Sequence, residues 1–175
     1  KTSIKINSDK KFINKKIYKN DQMNYSVYFI EDATFKYEKN VLTIENPTPG
    51  FRALIDSESL INEKIIFILN SNNIQYSPTL LTGCINIINS DLVNFEFQSN
   101  FSGCEDSLNI INSSGSINSV NIQNTKYDGL DLDFSNLKIN SLIINNAGND
   151  CSDFSYGNYE IQKALLTNCE DKGIS

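Results

Sequence analysis

Asp106, Asp128 and Asp150 stand twenty-two residues apart, and Lys172 follows at the same interval. Asn109, Asp131 and Asp153 repeat the spacing three residues further on. If the interval is one turn of a repeating structure, each file stacks, and ionised carboxylates about 5 Å apart repel. Each must then have a raised pKa, a bound cation, or a donor such as Lys126 or Lys172 beside it. Three chemistries fit such a strip. One is calcium binding at Asp128 and Asp150, because calcium is held by carboxylate oxygens. Another is a carbohydrate-binding groove built from Asp106, Asp128, Asp131, Asp150, Asp153, Tyr127 and Asn149. The third is acid/base catalysis, with Asp128, Asp150 and Lys172 as the candidates. Aspartates in turns also bond their own backbone in Asx-turns, so the same files have a purely structural reading.

The elements that would position these residues follow from the same period. The phrases Glu105-Asp-Ser-Leu-Asn-Ile, Tyr127-Asp-Gly-Leu-Asp-Leu, Asn149-Asp-Cys-Ser-Asp-Phe and Asp171-Lys-Gly-Ile-Ser are successive copies of one unit. Apolar files keep the same register: Ile117, Ile139 and Ile161; Val120, Leu142 and Ala164; Ile122, Ile144 and Leu166. A period of this length marks a solenoid, in which a unit buries its apolar face only by stacking on its neighbours. Within the unit the apolar residues alternate, as in Leu130 and Leu132, and are separated by Ser, Asn, Gly and Asp. That spacing and composition predict two or three short strands per rung and disfavour helix. An antiparallel sandwich with a coincidental repeat is the alternative. Stacking of like on like favours a parallel β-helix, and Asn-rich turns suit one, because Asn tolerates left-handed backbone and stacked amides can bond along the ladder. The expected fold is all-β: a right-handed parallel β-helix solenoid with rungs of about 22 residues and an irregular N-terminal cap.

Taken in order, the chain reads as one domain, with cap strands over 1–50 and rungs over 51–175. Its 175 residues suffice for a proper core. Residues 1–20 are lysine-rich and read either as a basic arm or as a solvent-edged first strand guarded by its lysines. Tyr25 to Tyr37 alternates as strands do. Asn46-Pro-Thr-Pro-Gly50 is a turn or a break between cap and stack. The run from Lys64 to Asn70 is continuously apolar, as buried parallel strands are, and Leu80 opens the first clear rung, one residue out of register with Leu108 and Ile110. Such an insertion belongs in a turn. The regular stack is thus expected from about residue 80 onward. Lys1 and Ser175 read as cut ends, with the rest of a longer chain or a neighbouring subunit capping the open C-terminal rung.

Composition narrows the function. The net charge is −6, the pI is near 4.6 and Arg52 is the single arginine, which argues against nucleic acid or an anionic membrane as partner. With no histidine, His-based triads and His-ligated zinc are excluded. No apolar run is long enough to span a membrane, and none reads as a signal peptide. Modulo the period, Cys151 and Cys169 fall near one turn of adjacent rungs, and Cys84 and Cys104 are similarly related. Two local disulfides are expected, with four free thiols as the alternative; if the bonds form, the compartment is oxidising.

Asn124-Thr-Lys-Tyr-Asp128-Gly129, Gly148-Asn149-Asp150-Cys151 and Cys169-Glu-Asp-Lys172-Gly173 resemble, in order and spacing, three motifs of the polygalacturonases, pectin-lyase-like β-helix hydrolases. The resemblance covers about fifty residues. It implies a water-activating role for Asp128 and Asp150 and a disulfide between Cys151 and Cys169. It also places Asn149 where that family keeps its acid and Lys172 where it keeps a histidine. An amide cannot donate a proton to a leaving glycosidic oxygen, so inverting hydrolysis is not expected to survive. Residues 80–175 are also similar to β-helix repeats of bacterial surface proteins, a likeness that carries no catalytic residues. The expected function is an extracytoplasmic carbohydrate-interacting module, secreted, periplasmic or at the cell surface, whose partner is a polysaccharide or surface glycan and whose cofactor is none or calcium. The alternatives are a polysaccharide hydrolase or lyase using the Asp128/Asp150 corner, and a structural stalk or surface-assembly domain.

Overall fold

The computed structural model describes residues 15–56, 58, 60–69 and 81–175. Residues 1–14 of the lysine-rich start and residues 70–80, Leu80 included, lie outside the described residues. The strands are β1 (Lys16–Tyr18), β2 (Val27–Ile30), β3 (Thr34–Glu38), β4 (Val41–Glu45), β5 (Arg52–Asp56), β6 (Leu60–Ile61), β7 (Lys64–Ile68), β8 (Gly83–Ile88), β9 (Asp91–Ser99), β10 (Asp106–Ile111), β11 (Ser114–Thr125), β12 (Asp128–Asp133), β13 (Asn136–Ile139), β14 (Leu142–Ala147), β15 (Ser152–Ser155), β16 (Asn158–Ile161) and β17 (Ala164–Cys169). One sheet runs β1-β2-β5-β8-β10-β12-β15 and the other β16-β13-β11-β9-β7-β4-β3. The third face of each late coil is β14 or β17, and the long β11 bends to pair with β13 by its first half and β14 by its second. The chain is therefore a β-solenoid of about five parallel coils.

The register is the predicted one. Asp106 pairs with Asp128, Leu130 with Ser152, Ile139 with Ile161 and Ile144 with Leu166, each twenty-two residues on. Leu108, Ile110, Ile117, Ile122, Leu130, Leu132, Ile139, Leu142 and Ile144 are fully buried along the axis. Burial fades in the last coil, where Ala164 is exposed and Ile161 and Leu166 are half-buried. The extra residue also falls where a turn can absorb it. Ser102 bridges to Thr125 at an interval of twenty-three and Asp106 pairs with Asp128 at twenty-two, so the insertion lies between Ser102 and Asp106.

Three expectations need correction. The stack begins well before residue 80: Leu42 pairs in parallel with Ile65, Ile65 with Phe97, and Ala53 with Ile85. These early coils advance by twenty-three or thirty-two residues, which hides them from a search at twenty-two. The Asn46–Gly50 turn consequently joins two strands already in the stack. Finally, β7 is buried on one side only, with Ile65 and Phe67 inside and Ile66 and Ile68 half-buried, because its other side faces out of the solenoid. The first strands are antiparallel, β1 to β2, β2 to β5 and β3 to β4, so the parallel stack ends in strands of reversed direction. β1 is the edge, and its Lys16 pairs with Asp32, in keeping with a lysine-guarded edge strand.

Polar side chains stack as tightly as apolar ones. Asn112 donates to Asn89 at 2.7 Å, Asn146 to Asn124 at 2.9 Å and Asn158 to Asn136 at 2.8 Å; Asn89, Asn112, Asn124, Asn146 and Asn168 have left-handed backbone. In a serine file, the Ser113 hydroxyl accepts from the Ser90 N–H at 3.1 Å and the Ser135 hydroxyl from the Ser113 N–H at 3.0 Å. The next position is Gly157, where a methyl would overlap the Ser135 carbonyl oxygen and the Tyr159 hydroxyl. That hydroxyl takes the missing serine's place, accepting from the Ser135 N–H at 3.3 Å and lying 3.0 Å from the Leu132 carbonyl oxygen. Removing it strands a buried backbone donor. Tyr159→Phe is therefore expected to lower unfolding free energy by about 1–2 kcal/mol in urea titration, more than the loss of an exposed phenol would.

Candidate functional site

The predicted carboxylate corner exists, and its geometry shows what the side chains do there. Asp106 opens β10, Asp128 opens β12, and Asp150 precedes β15 by two residues. The Asp128 Oδ1 accepts from the Asp150 N–H at 2.8 Å and from the Asn149 amide at 2.7 Å. One coil on, the Asp150 Oδ1 accepts from the Lys172 N–H at 2.8 Å. Asp128 and Asp150 thus cap the backbone of the next coil, a ladder version of the Asx-turn, whereas the Asp128 N–H donates to the Glu105 carbonyl and not to Asp106.

The repulsion within this file is relieved in different ways at each level. Burial pushes Asp106, only 4% exposed, up to about 7, against the pull of its hydrogen bond with Thr82. Burial also raises Asp128, although two donors oppose it. Asp150 is 6% exposed and has the Lys172 ammonium 3.8 Å from its Oδ2. Lys172 is raised mainly by its hydrogen bond with Asp171, at 3.1 Å, and then by Asp150. Lys126, the other donor considered, lies instead over the Tyr127 ring, 5.3 Å from its centroid.

The second file runs Asn86, Asn109, Asp131 and Asp153 across β8, β10, β12 and β15. The Asn109 amide donates to the Asp131 Oδ2 at 3.0 Å and reaches the Thr82 hydroxyl at 2.7 Å. Burial, reinforced by Asp106, Asp133 and Asp153, pushes Asp131 up to about 8. It is predominantly neutral at pH 7, able to donate as well as accept. Asp133, raised by burial and by Asp153, joins this strip. Its outward position was legible in the alternation Asp131-Leu-Asp133. Thr82 and Asn86 carried no such signal, because their coil is offset by one residue.

Several carboxylates of this region are already engaged by backbone and amide donors within the fold. Asp128 and Asp150, the pair expected to hold calcium, each commit an oxygen to backbone N–H groups, and among the described residues no group of three or more His, Cys, Asp or Glu could hold a metal ion. Asp128 and Asp150 lie on one corner with Lys172, Asn149 and Tyr127, while Asp131 and Asp153 lie on the adjoining face. Both disulfides are present: Cys84–Cys104 closes against the turn that carries the inserted residue, and Cys151–Cys169 ties the two last coils beside Asp150.

The fold and register place the chain among the parallel β-solenoids. It matches no protein-family model, no curated protein and no solved structure, so the likeness to polygalacturonases rests on its three short motifs.

Two measurements follow. The folded protein holds protons on Asp106 and Asp131 that the unfolded chain releases above about pH 4. This contribution to stability is complete below pH 4 and is lost as pH rises through 7 to 8. Melting temperature should therefore fall between pH 5.5 and 8.5, by roughly 10 °C or more, and Asp131→Asn, which removes one of the two titrating carboxyls, should flatten the decline. Restoring the hydrolase motif should also be costly. Asn149→Asp replaces a donor to Asp128 with a second carboxylate, and a loss of about 1–2 kcal/mol is expected in urea titration at pH 7.

Proposed function

We propose that the protein is an extracytoplasmic, non-catalytic module that binds a saccharide on the outer face of β12 and β15. The observation that carries this reading is the strip Asp131, Asp133 and Asp153, held half-buried on one sheet, where burial pushes Asp131 up to about 8 and raises Asp133, with exposed Tyr127 at its edge. Neutral carboxyls and amides both donate and accept, as hydroxyl recognition requires, and an aromatic ring offers an apolar face to the C–H side of a sugar. The two disulfides support an oxidising, extracytoplasmic compartment. Catalysis is disfavoured by the groups that hydrolysis needs: Asn149 is not an acid, and Asp150 is buried, bonded to backbone and faced by Lys172. Because nothing cationic among the described residues lies along the strip away from its Lys126 and Lys172 corner, the favoured ligand is neutral, not uronic.

The test combines a glycan array with a turnover assay. Retention on neutral glycans is expected, weakened about tenfold by Tyr127→Ala with Asp153→Ala, with no reducing or unsaturated sugar released from polygalacturonate or other polysaccharides. Turnover abolished by Asp150→Asn would establish the hydrolase or lyase instead. Neither retention nor turnover would leave the stalk reading, which the backbone-capping role of Asp128 and Asp150 favours.

A further inference from the structure

Across the turn from the acidic strip, the file Asn89, Asn112, Phe134 and Tyr156 occupies the position just after β8, β10, β12 and β15. All four residues have left-handed backbone, with φ of 56°, 48°, 50° and 48°. Asn accepts that conformation readily, and in the two earlier coils the Asn112 amide bonds Asn89. A bulky aromatic does not, since its Cβ crowds the neighbouring carbonyl. Burial does not repay the cost either. Phe134 is 52% exposed and Tyr156 79%, and their rings lie parallel, 4° apart in plane with centroids at 5.2 Å. Two consecutive coils thus give up a favourable asparagine for a sterically costly ring displayed to solvent. Backbone strain of this kind, kept where packing does not require it, points to use.

What borders the ridge indicates the use. One residue beyond Tyr156 and two beyond Phe134 begins a shallow, open groove on the second sheet, with Asn136, Asn158, Lys138 and Glu160 among its lining residues. Asn158 donates to Asn136 at 2.8 Å and Lys138 pairs with Glu160 at 2.9 Å. The groove therefore carries amide donors and acceptors and a balanced charge pair. Tyr159 locks the ridge from beneath, its hydroxyl reaching the carbonyls of Leu132 and Ser155 at 3.0 and 3.2 Å on the two coils that carry the rings. A preorganised aromatic ridge beside a polar, electrically balanced groove matches a neutral saccharide: ring C–H groups against the aromatics, hydroxyls against the amides and the ion pair.

We infer that the Phe134–Tyr156 ridge and the Asn136/Asn158/Lys138/Glu160 groove form a binding site for a neutral oligosaccharide, separate from the acidic strip. The test is isothermal titration of the intact protein with cellohexaose, mannohexaose and laminarihexaose, alongside thermal melts. At least one hexasaccharide should bind. The double variant Phe134→Asn/Tyr156→Asn, which restores the asparagines of the earlier coils, should weaken it about tenfold or more while melting at the same temperature or higher. Tyr156→Leu, which keeps apolar bulk without a ring, should weaken binding with the fold intact. In an Asp131→Asn/Asp153→Asn background, which lacks the strip's own contribution, the ridge substitutions should still cause that loss, so that failure of the ridge and failure of the acidic strip are told apart. The inference is overturned if none of the three sugars binds, if the asparagine and leucine variants bind as the natural protein does, or if binding is lost only through the acidic-strip variant.

Discussion

Every coil of this protein must satisfy its backbone through the coils above and below it. Parallel pairing at a fixed interval, with neighbouring strands about 4.8 Å apart, leaves the side chains no choice of partner: each lies over its own counterpart in the next turn. Apolar files gain from that arrangement, as Ile117, Ile139 and Ile161 do along the axis. Amide files gain too, because Asn is both donor and acceptor. Files of carboxylates are the exception, and the acidic corner owes its form to the ways in which that repulsion is removed.

The solutions differ from level to level. Asp106 is buried, which pushes its carboxyl up to about 7, Asp128 and Asp150 turn an oxygen to the next backbone N–H, and Asp131 accepts from the Asn109 amide. Stacking thus converts a nominally anionic strip into one of mixed donors and acceptors. The same constraint explains why the aromatic ridge is conspicuous: in a stack where Asn is the comfortable residue of the turn, Phe134 and Tyr156 depart from it together.

Much of this was legible in the residues. The late coils share one length, so Asp106, Asp128 and Asp150, the three apolar files and both disulfides could be placed by counting. The early coils could not. Leu42, Ile65 and Phe97 form a file as regular in space as any other, but the intervals of twenty-three and thirty-two between them erase the period. The reversed strands β1, β2 and β3 obey no repeat at all. At the site, positions were readable and states were not. Counting puts Asp131 beside Asn109, yet the proton it holds depends on how deeply the face is covered, and the burial of Asp106 depends on a neighbouring coil with a shifted register.

The two disulfides span 20 and 18 residues, each less than one full coil. Under tension applied along the chain, a solenoid unspools turn by turn, each released coil lengthening the tether. The Cys151–Cys169 bond closes its turn on itself and withholds its enclosed residues from that lengthening, a hidden length of roughly 60 Å at 3.3–3.6 Å per extended residue. Oxidised and reduced forms would therefore respond to the same pull as tethers of different extensibility. The oxidised one keeps the Asp150 corner bound to its neighbour after the surrounding strand contacts have peeled away.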